Sequence, residues 1–302
     1  MSVNLIKTYD DMIKNSKVTQ KMVDKVCDTN MYYFLRPDLK IYQRVARNSK
    51  MEVIGGLCIY PDEQCMHELL NDIQIAVERQ KSLNNVKNKK GAKFIDILIN
   101  INKSINKYFG TCISSKMEDS IFHDCDIKKE RLAKLSDFKG KNCAICIEKS
   151  LAAHIIMCVL AKDKEVEKMG IFPYKSCMYT TNCQRHIEKS PYSSGRHAVC
   201  ILEPKLKNAP VYLLDSNFGR VKIKEENVEG PAPGIYELTN EESNTFLKKG
   251  GAIEPKLVYD IYMNGITQVS HRAFSQDIRD FKRINAKYTQ KTLIDDDNDL
   301  TI

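Results

Sequence analysis

The chain has 302 residues, 42% of them hydrophobic and 28% charged, with 47 Lys and Arg against 39 Asp and Glu for a net charge of +8. That is globular composition with room for about two ordinary domains, which excludes a disordered chain and a fibrous repeat. The longest apolar stretch, Leu151–Ala161, contains His154 and falls well short of the roughly twenty residues that cross a bilayer, so no membrane-spanning helix is expected.

The opening residues, MSVNLIKTYDDMIKN, place Lys7, Asp10 and Asp11 where a secretory leader requires an unbroken apolar run. The expected location is therefore cytoplasmic, delivery into a host cell included. Residues 61–81 carry Met66, Leu69, Leu70, Ile73 and Val77 on one stripe after the start signal Pro61-Asp62, which predicts a helix. A second helix is predicted over 92–109, from Phe94, Ile95, Leu98, Ile101, Ile105 and Phe109, with Gly110 as its stop. The Lys/Asn-rich segment between them, with Lys87, Lys89, Lys90 and Lys93, reads as a solvated loop rather than a nucleic-acid contact.

A short helix is expected over 127–135, then a turn, SDFKGKN. The segment 143–162, CAICIEKSLAAHIIMCVLAK, reads as an amphipathic helix with a stripe of Ile147, Leu151, Ile155, Cys158 and Val159 and with Asn142 as N-cap. Beyond about residue 170 the texture turns to β. Strands are expected at RHAVCIL (196–202), VYLLDSNF (211–218) and KLVYDIYM (256–263), with EGPAPGIYEL as a connector. Helices followed by an antiparallel sheet make an α+β fold. The last residues hold Asp295, Asp296, Asp297 and Asp299 without a Lys or Arg, and setting these four acids aside raises the +8 to +12 on the body. A basic body favours acidic segments of a protein or peptide partner.

Eleven cysteines in a chain of this length do not describe a small disulfide scaffold, and without a leader they read as reduced, buried thiols. A thiol becomes a nucleophile where a helix N-terminus lowers its pKa and a histidine stands by as base. Cys143 and Cys146 both fall at the start of the 143–162 helix. His197 opens one strand and Asp215 ends the next. If Leu202 pairs with Val211, His197 lies opposite Ser216, and a shift of one places it opposite Asp215 or Asn217. Either of these two can hold the imidazole, as the third member of a triad does.

The run CIEKSLAAHIIMCVLA, RHAVCIL and VYLLDSNF resembles the transglutaminase-like branch of the papain-like superfamily over roughly residues 130–220. The family pattern is a Cys at a helix start with an acid two residues on and a small residue four on, then a His-led strand and an Asp-ended strand. Here those positions are Cys146, Glu148, Ser150, His197 and Asp215. Ala144 stands where the family usually has Gly. The resemblance implies a papain-like core and a cysteine hydrolase or acyltransferase that works on protein or peptide amides through a thioester: a protease, a glutamine deamidase or a transglutaminase. It implies Cys146, His197 and Asp215 as the catalytic set; the helix start and the strand arithmetic leave Cys143 and Asn217 as alternates, and no cofactor is expected. The corresponding domain reading is 1–126 as a mainly helical region, 127–290 as the catalytic domain and 291–302 as an acidic disordered tail.

Two other readings use the same residues. The triad-bearing fold can serve as a non-catalytic interaction module. Alternatively, Cys143-x-x-Cys146 and Cys183-x-x-His186 supply four zinc ligands in a basic binding domain. His154 reads as a helix-packing residue, since two helical turns separate it from Cys146; His67, His123 and His271 have no partner close in sequence. Phosphate-loop, dinucleotide-binding, zinc-protease and serine-elbow motifs are absent.

Overall fold

The computed structural model describes residues 3–14, 42–47, 53–83, 90–110, 132–185, 195–206, 209–216, 221–223, 226–228, 234–260 and 274–276. Among them the element order is helix α1 (Leu5–Ile13), strands β1 (Tyr42–Arg47) and β2 (Val53–Tyr60), helices α2 (Glu63–Leu83) and α3 (Lys90–Phe109), then strand β3 (Leu132–Lys134). Helix α4 (Cys146–Lys162) and the short α5 (Lys164–Met169) precede a run of strands. These are β4 (Tyr174–Arg185), β5 (Gly195–Pro204), β6 (Val211–Asp215), β7 (Val221–Ile223), β8 (Glu226–Val228) and β9 (Gly234–Leu238). Helix α6 (Asn240–Asn244), β10 (Ala252–Ile253), β11 (Lys256–Asp260) and β12 (Phe274–Gln276) complete the described elements.

The architecture is α+β. The main sheet has seven antiparallel strands in the order β10-β12-β4-β5-β6-β9-β11, so the two strands that carry His197 and Asp215 are its interior neighbours β5 and β6. The segment GIYEL, expected as part of a connector, is strand β9 and pairs on both sides, with β6 and with β11. The Gly and Pro residues before it end at Gly234; from there Ile235, Tyr236 and Leu238 are buried and the backbone is extended.

Helices α2 and α3 form where the apolar stripes place them. Met66, Leu69, Leu70, Ile73 and Val77 on α2, and Leu98, Ile101, Ile105 and Phe109 on α3, are all buried. Asp62 caps α2: its carboxylate accepts the Cys65 N–H at 3.4 Å and also takes the Ser136 N–H at 2.9 Å from a distant turn. Gly110 ends α3 in the left-handed region, at φ 75°, and a side chain there would run into Asn142.

Two expectations about this half are corrected. The helix predicted over 127–135 is, in its described part, the strand β3 paired parallel to β2, followed by a 3-10 turn over Leu135–Phe138. The first half is also less helical than its texture suggests, because β1, β2 and β3 make a three-stranded sheet. In VIGGLCIY the paired glycines and branched residues favour extended backbone over helix.

Helix α4 differs from its prediction in two ways. It begins at Cys146, three residues later than expected, and it is not amphipathic: every residue from Glu148 to Leu160 is buried, while Ile147 is only partly so. The helices α1, α2 and α3 cover it on one side, and β4 and β5 cover it on the other. One apolar core follows, running from Val3 and Leu5 through α2, α3 and α4 to Cys200, Leu214 and Ile235, and so spanning position 127. The opposite sheet face carries a second cluster, Val199, Ile201, Leu213, Tyr236 and Leu238, closed by Phe246 from the helical turn after α6. No described helix is long and apolar enough to cross a membrane.

His154 lies fully buried in this core, its ring 3.8 Å from the Cys158 sulfur, and burial lowers its pKa from 6.5 to about 4. It is a packing residue, as its spacing suggested. Unfolded, it takes up a proton near its ordinary pKa; folded, it stays neutral down to the lowered one. The native state is therefore favoured at neutral pH and loses that advantage as pH falls through the window. Urea unfolding should show wild type losing about 2 kcal/mol more than His154→Gln between pH 7 and 5. Equal losses would contradict the assignment.

Candidate functional site

The site lies where the start of α4 meets strands β5 and β6. The approach to α4 is built by the loop after the 3-10 turn. Gly140 donates its N–H to the Tyr108 carbonyl at 2.9 Å, which ties the loop to the end of α3. Asn142 adopts φ 53°, a left-handed turn that an asparagine tolerates, and is not the helix cap. That role falls to Ile145, whose backbone N–H is accepted by the Glu148 carboxylate at 2.9 Å. A carboxylate from the first turn thus sets where the helix begins, and it makes Cys146 the first helical residue.

Two further hydrogen bonds lock the first turns of α4 to β5. The Ser150 hydroxyl donates to the Ala198 carbonyl at 2.9 Å, and the Cys200 thiol donates to the Ser150 carbonyl at 3.1 Å. On the other flank the buried Lys149 ammonium donates to Asn106 Oδ1 of α3 at 2.9 Å. Glu148 and Ser150, read as family-pattern positions, therefore have definite structural roles on either side of the thiol. Lys149 and Asn106 were not singled out from sequence; the available signal was a lysine inside an otherwise apolar helix.

The register of β5 and β6 is Cys200↔Leu214, Ile201↔Leu213 and Leu202↔Tyr212. Leu202 therefore pairs with Tyr212 and not with Val211, and the register is one of the two shifted alternatives. Carried on by the same count, it sets Asp215 opposite Val199, on the same face as His197 and diagonal to it. The side chains meet: His197 Nε2 and Asp215 Oδ2 are 2.8 Å apart, with both residues buried.

Cys146 lies close enough to the same imidazole for His197 to act on its thiol. Burial pushes its thiol up, but the charge and hydrogen bond of His197 and the Ala198 backbone N–H pull it down, against a smaller opposing effect of Glu148. The net position is below the ordinary thiol value. Cys143 lies in the non-helical segment before the helix, fully buried; it is Cys146 that His197 engages. The register would place Asn217 opposite His197, but Asn217 lies outside the described residues.

Of the zinc reading, Cys143 and Cys146 are described and Cys183 only in its backbone, which pairs with His197; His186 lies outside the described residues. Among the described residues no group of three or more His, Cys, Asp or Glu is placed to hold a metal ion. Cys58, Cys65, Cys143, Cys146, Cys158 and Cys200 are buried and take part in no disulfide among the described residues. His67 does have a partner, Asp10 of α1 at 2.7 Å, a half-exposed bridge between α1 and α2. His123 and His271 lie outside the described residues, as does the acidic tail. Comparison with protein-family models, with curated proteins and with solved structures finds no match to this chain.

The arrangement gives a low-pKa thiol at a helix start, a base in contact with it and a carboxylate that fixes that base. The pH dependence of alkylation by iodoacetamide tests this directly. Wild type should titrate at Cys146 below the ordinary thiol range. His197→Ala removes two of the lowering influences and leaves burial dominant, so the midpoint should move above that range. An unmoved midpoint would show that His197 does not act on the thiol.

Proposed function

We propose that the chain is a thiol enzyme of papain-like, transglutaminase-like architecture that cleaves or transfers the acyl group of a protein or peptide amide. The observation that carries this reading is the continuous chain Cys146–His197–Asp215 at the start of a buried helix, closed by the 2.8 Å contact between His197 and Asp215. Because Nε2 of His197 is committed to Asp215, Nδ1 is the nitrogen that serves the thiol.

The steps follow from these groups. His197 takes the Cys146 proton, and the thiolate sulfur bonds to the amide carbonyl carbon, moving the C=O electron pair onto oxygen. The first backbone N–H groups of α4 stabilise that oxyanion. The C–N bond then breaks as the imidazolium gives its proton to the departing nitrogen, leaving a thioester. Water, deprotonated by His197, attacks the thioester and releases a carboxylic acid and the thiol, which is proteolysis or deamidation. An amine in place of water gives transamidation. Asp215 holds the imidazole in one tautomer and balances its charge while it is protonated. The +12 body favours substrates with acidic segments around the reacting amide.

Labelling by a thiol-directed electrophile and amide turnover should both be lost in Cys146→Ala and retained in Cys143→Ala. Asp215→Asn should keep the thiol and lower turnover by at least about 10-fold. Full activity in Cys146→Ala with loss in Cys143→Ala would move the nucleophile, and full activity in both variants would remove the thiol mechanism.

A further inference from the structure

The last turn of α3 holds the chain on both sides of Cys146. Ahead of the thiol, the Tyr108 carbonyl accepts the Gly140 N–H at 2.9 Å. Beyond it, Asn106 Oδ1 accepts a hydrogen bond from the Lys149 ammonium at 2.9 Å, and Lys149 follows Cys146 by less than one helical turn. A third contact lies between these two. Asn142 lays its amide against the α carbon of Gly110: a β-carbon at 110 would fall on Oδ1 and come within 2.9 Å of Cγ. Both residues are left-handed, Gly110 at φ 75° and Asn142 at φ 53°. A helix stop calls for glycine because of its φ. It does not call for a neighbour at this distance, so Gly110 meets two separable demands.

The segment after Asn142 transmits the contact. Cys143 and Ala144 are fully buried in the core, and the Ile145 N–H is held by the Glu148 carboxylate at 2.9 Å. Packed residues pass on a displacement that a solvated loop would absorb. Cys146 is the next residue, and its thiol is lowered by the charge of His197, an effect that weakens with separation.

We infer that Gly110 is a positioning residue for Cys146: its bare α carbon seats the Asn142 amide, and this seat fixes where residues 142–145 deliver the sulfur to His197. Its effect on turnover rests on the thiol-acyl reading above. A β-carbon at 110 displaces Asn142 itself, because Cγ is bonded directly to the Asn142 β-carbon and turning the terminal amide does not clear it. The thiol then draws away from His197, loses part of the lowering influence and keeps the burial that pushes its pKa up. A misplacement of about 1 Å at a reacting atom costs up to about 100-fold in rate.

Alkylation of Cys146 by iodoacetamide, followed on its peptide by mass spectrometry, reads the thiol. Release of p-nitrophenolate from p-nitrophenyl acetate reads acyl transfer. Gly110→Ala should move the alkylation midpoint to higher pH and slow p-nitrophenolate release by roughly 10- to 100-fold. Gly110→Asn carries the same β-carbon but tolerates the left-handed backbone, so it should show both changes while unfolding at a higher temperature than Gly110→Ala. In an Asn142→Gly background that β-carbon has no amide to meet. There Gly110→Ala should leave midpoint and release at the values of Asn142→Gly alone, while still lowering the unfolding temperature through backbone strain. An unmoved midpoint in Gly110→Asn overturns the inference. Equal changes with and without the Asn142 side chain also overturn it and leave Gly110 a helix stop only. Failure of the thiol-acyl reading looks different: Cys146→Ala would still release p-nitrophenolate at the wild-type rate, whereas the alkylation midpoints would go on reporting where the sulfur lies.

Discussion

Helix α4 has no face for water, and the rest of the fold answers that constraint. A helix buried all round needs apolar neighbours on every side, and the chain supplies three helices on one flank and two long strands on the other. It also needs a partner for each polar group that the sequence carries into the interior. Glu148 is satisfied by the Ile145 N–H, Lys149 by Asn106 and Ser150 by the Ala198 carbonyl, while His154 is held neutral. These partners are not interchangeable, because a buried charge or hydroxyl without its partner is costly. The polar side chains therefore specify how α4 sits, while the apolar ones supply the bulk of the stabilisation.

The proposed chemistry lies at the end of this helix and not on one of its faces. Cys146 is the last point at which the chain, coming from an extended segment, can meet both the helix dipole and the sheet. The imidazole and carboxylate come from adjacent interior strands, so their separation is set by the ladder and not by a loop. The chain spends its strongest constraints, paired strands and a buried helix start, on holding three side chains to hydrogen-bond tolerance.

Much of this was legible in the residues. The stripes of α2 and α3 and the stop at Gly110 rest on local pattern, as does the choice of Cys146, His197 and Asp215 as candidates, which the structure places beside one another. What was not legible depends on distance along the chain. The start of α4 hinges on the side chain of Glu148 reaching back to Ile145, and that moved the boundary from residue 143 to 146. The one-residue register difference between β5 and β6 depends on how their turn closes. Strand β9 was hidden because Gly and Pro residues precede a segment whose extended form is secured only by β6 and β11. The Lys149–Asn106 contact joins residues 43 apart, and His67–Asp10 joins residues 57 apart. Neither leaves a trace in periodicity.

The covering of α4 by α1, α2 and α3 carries a consequence for how such a chain can be rearranged. A fragment that began at residue 127 would contain Cys146, His197 and Asp215, yet it would leave the flank of α4 that α1, α2 and α3 cover bare. That surface would drive self-association before the thiol could meet its base. The Cys146–His197–Asp215 cluster is therefore not portable as a cassette. Gene fusion or domain shuffling can transplant it only by carrying the helices α1, α2 and α3 too.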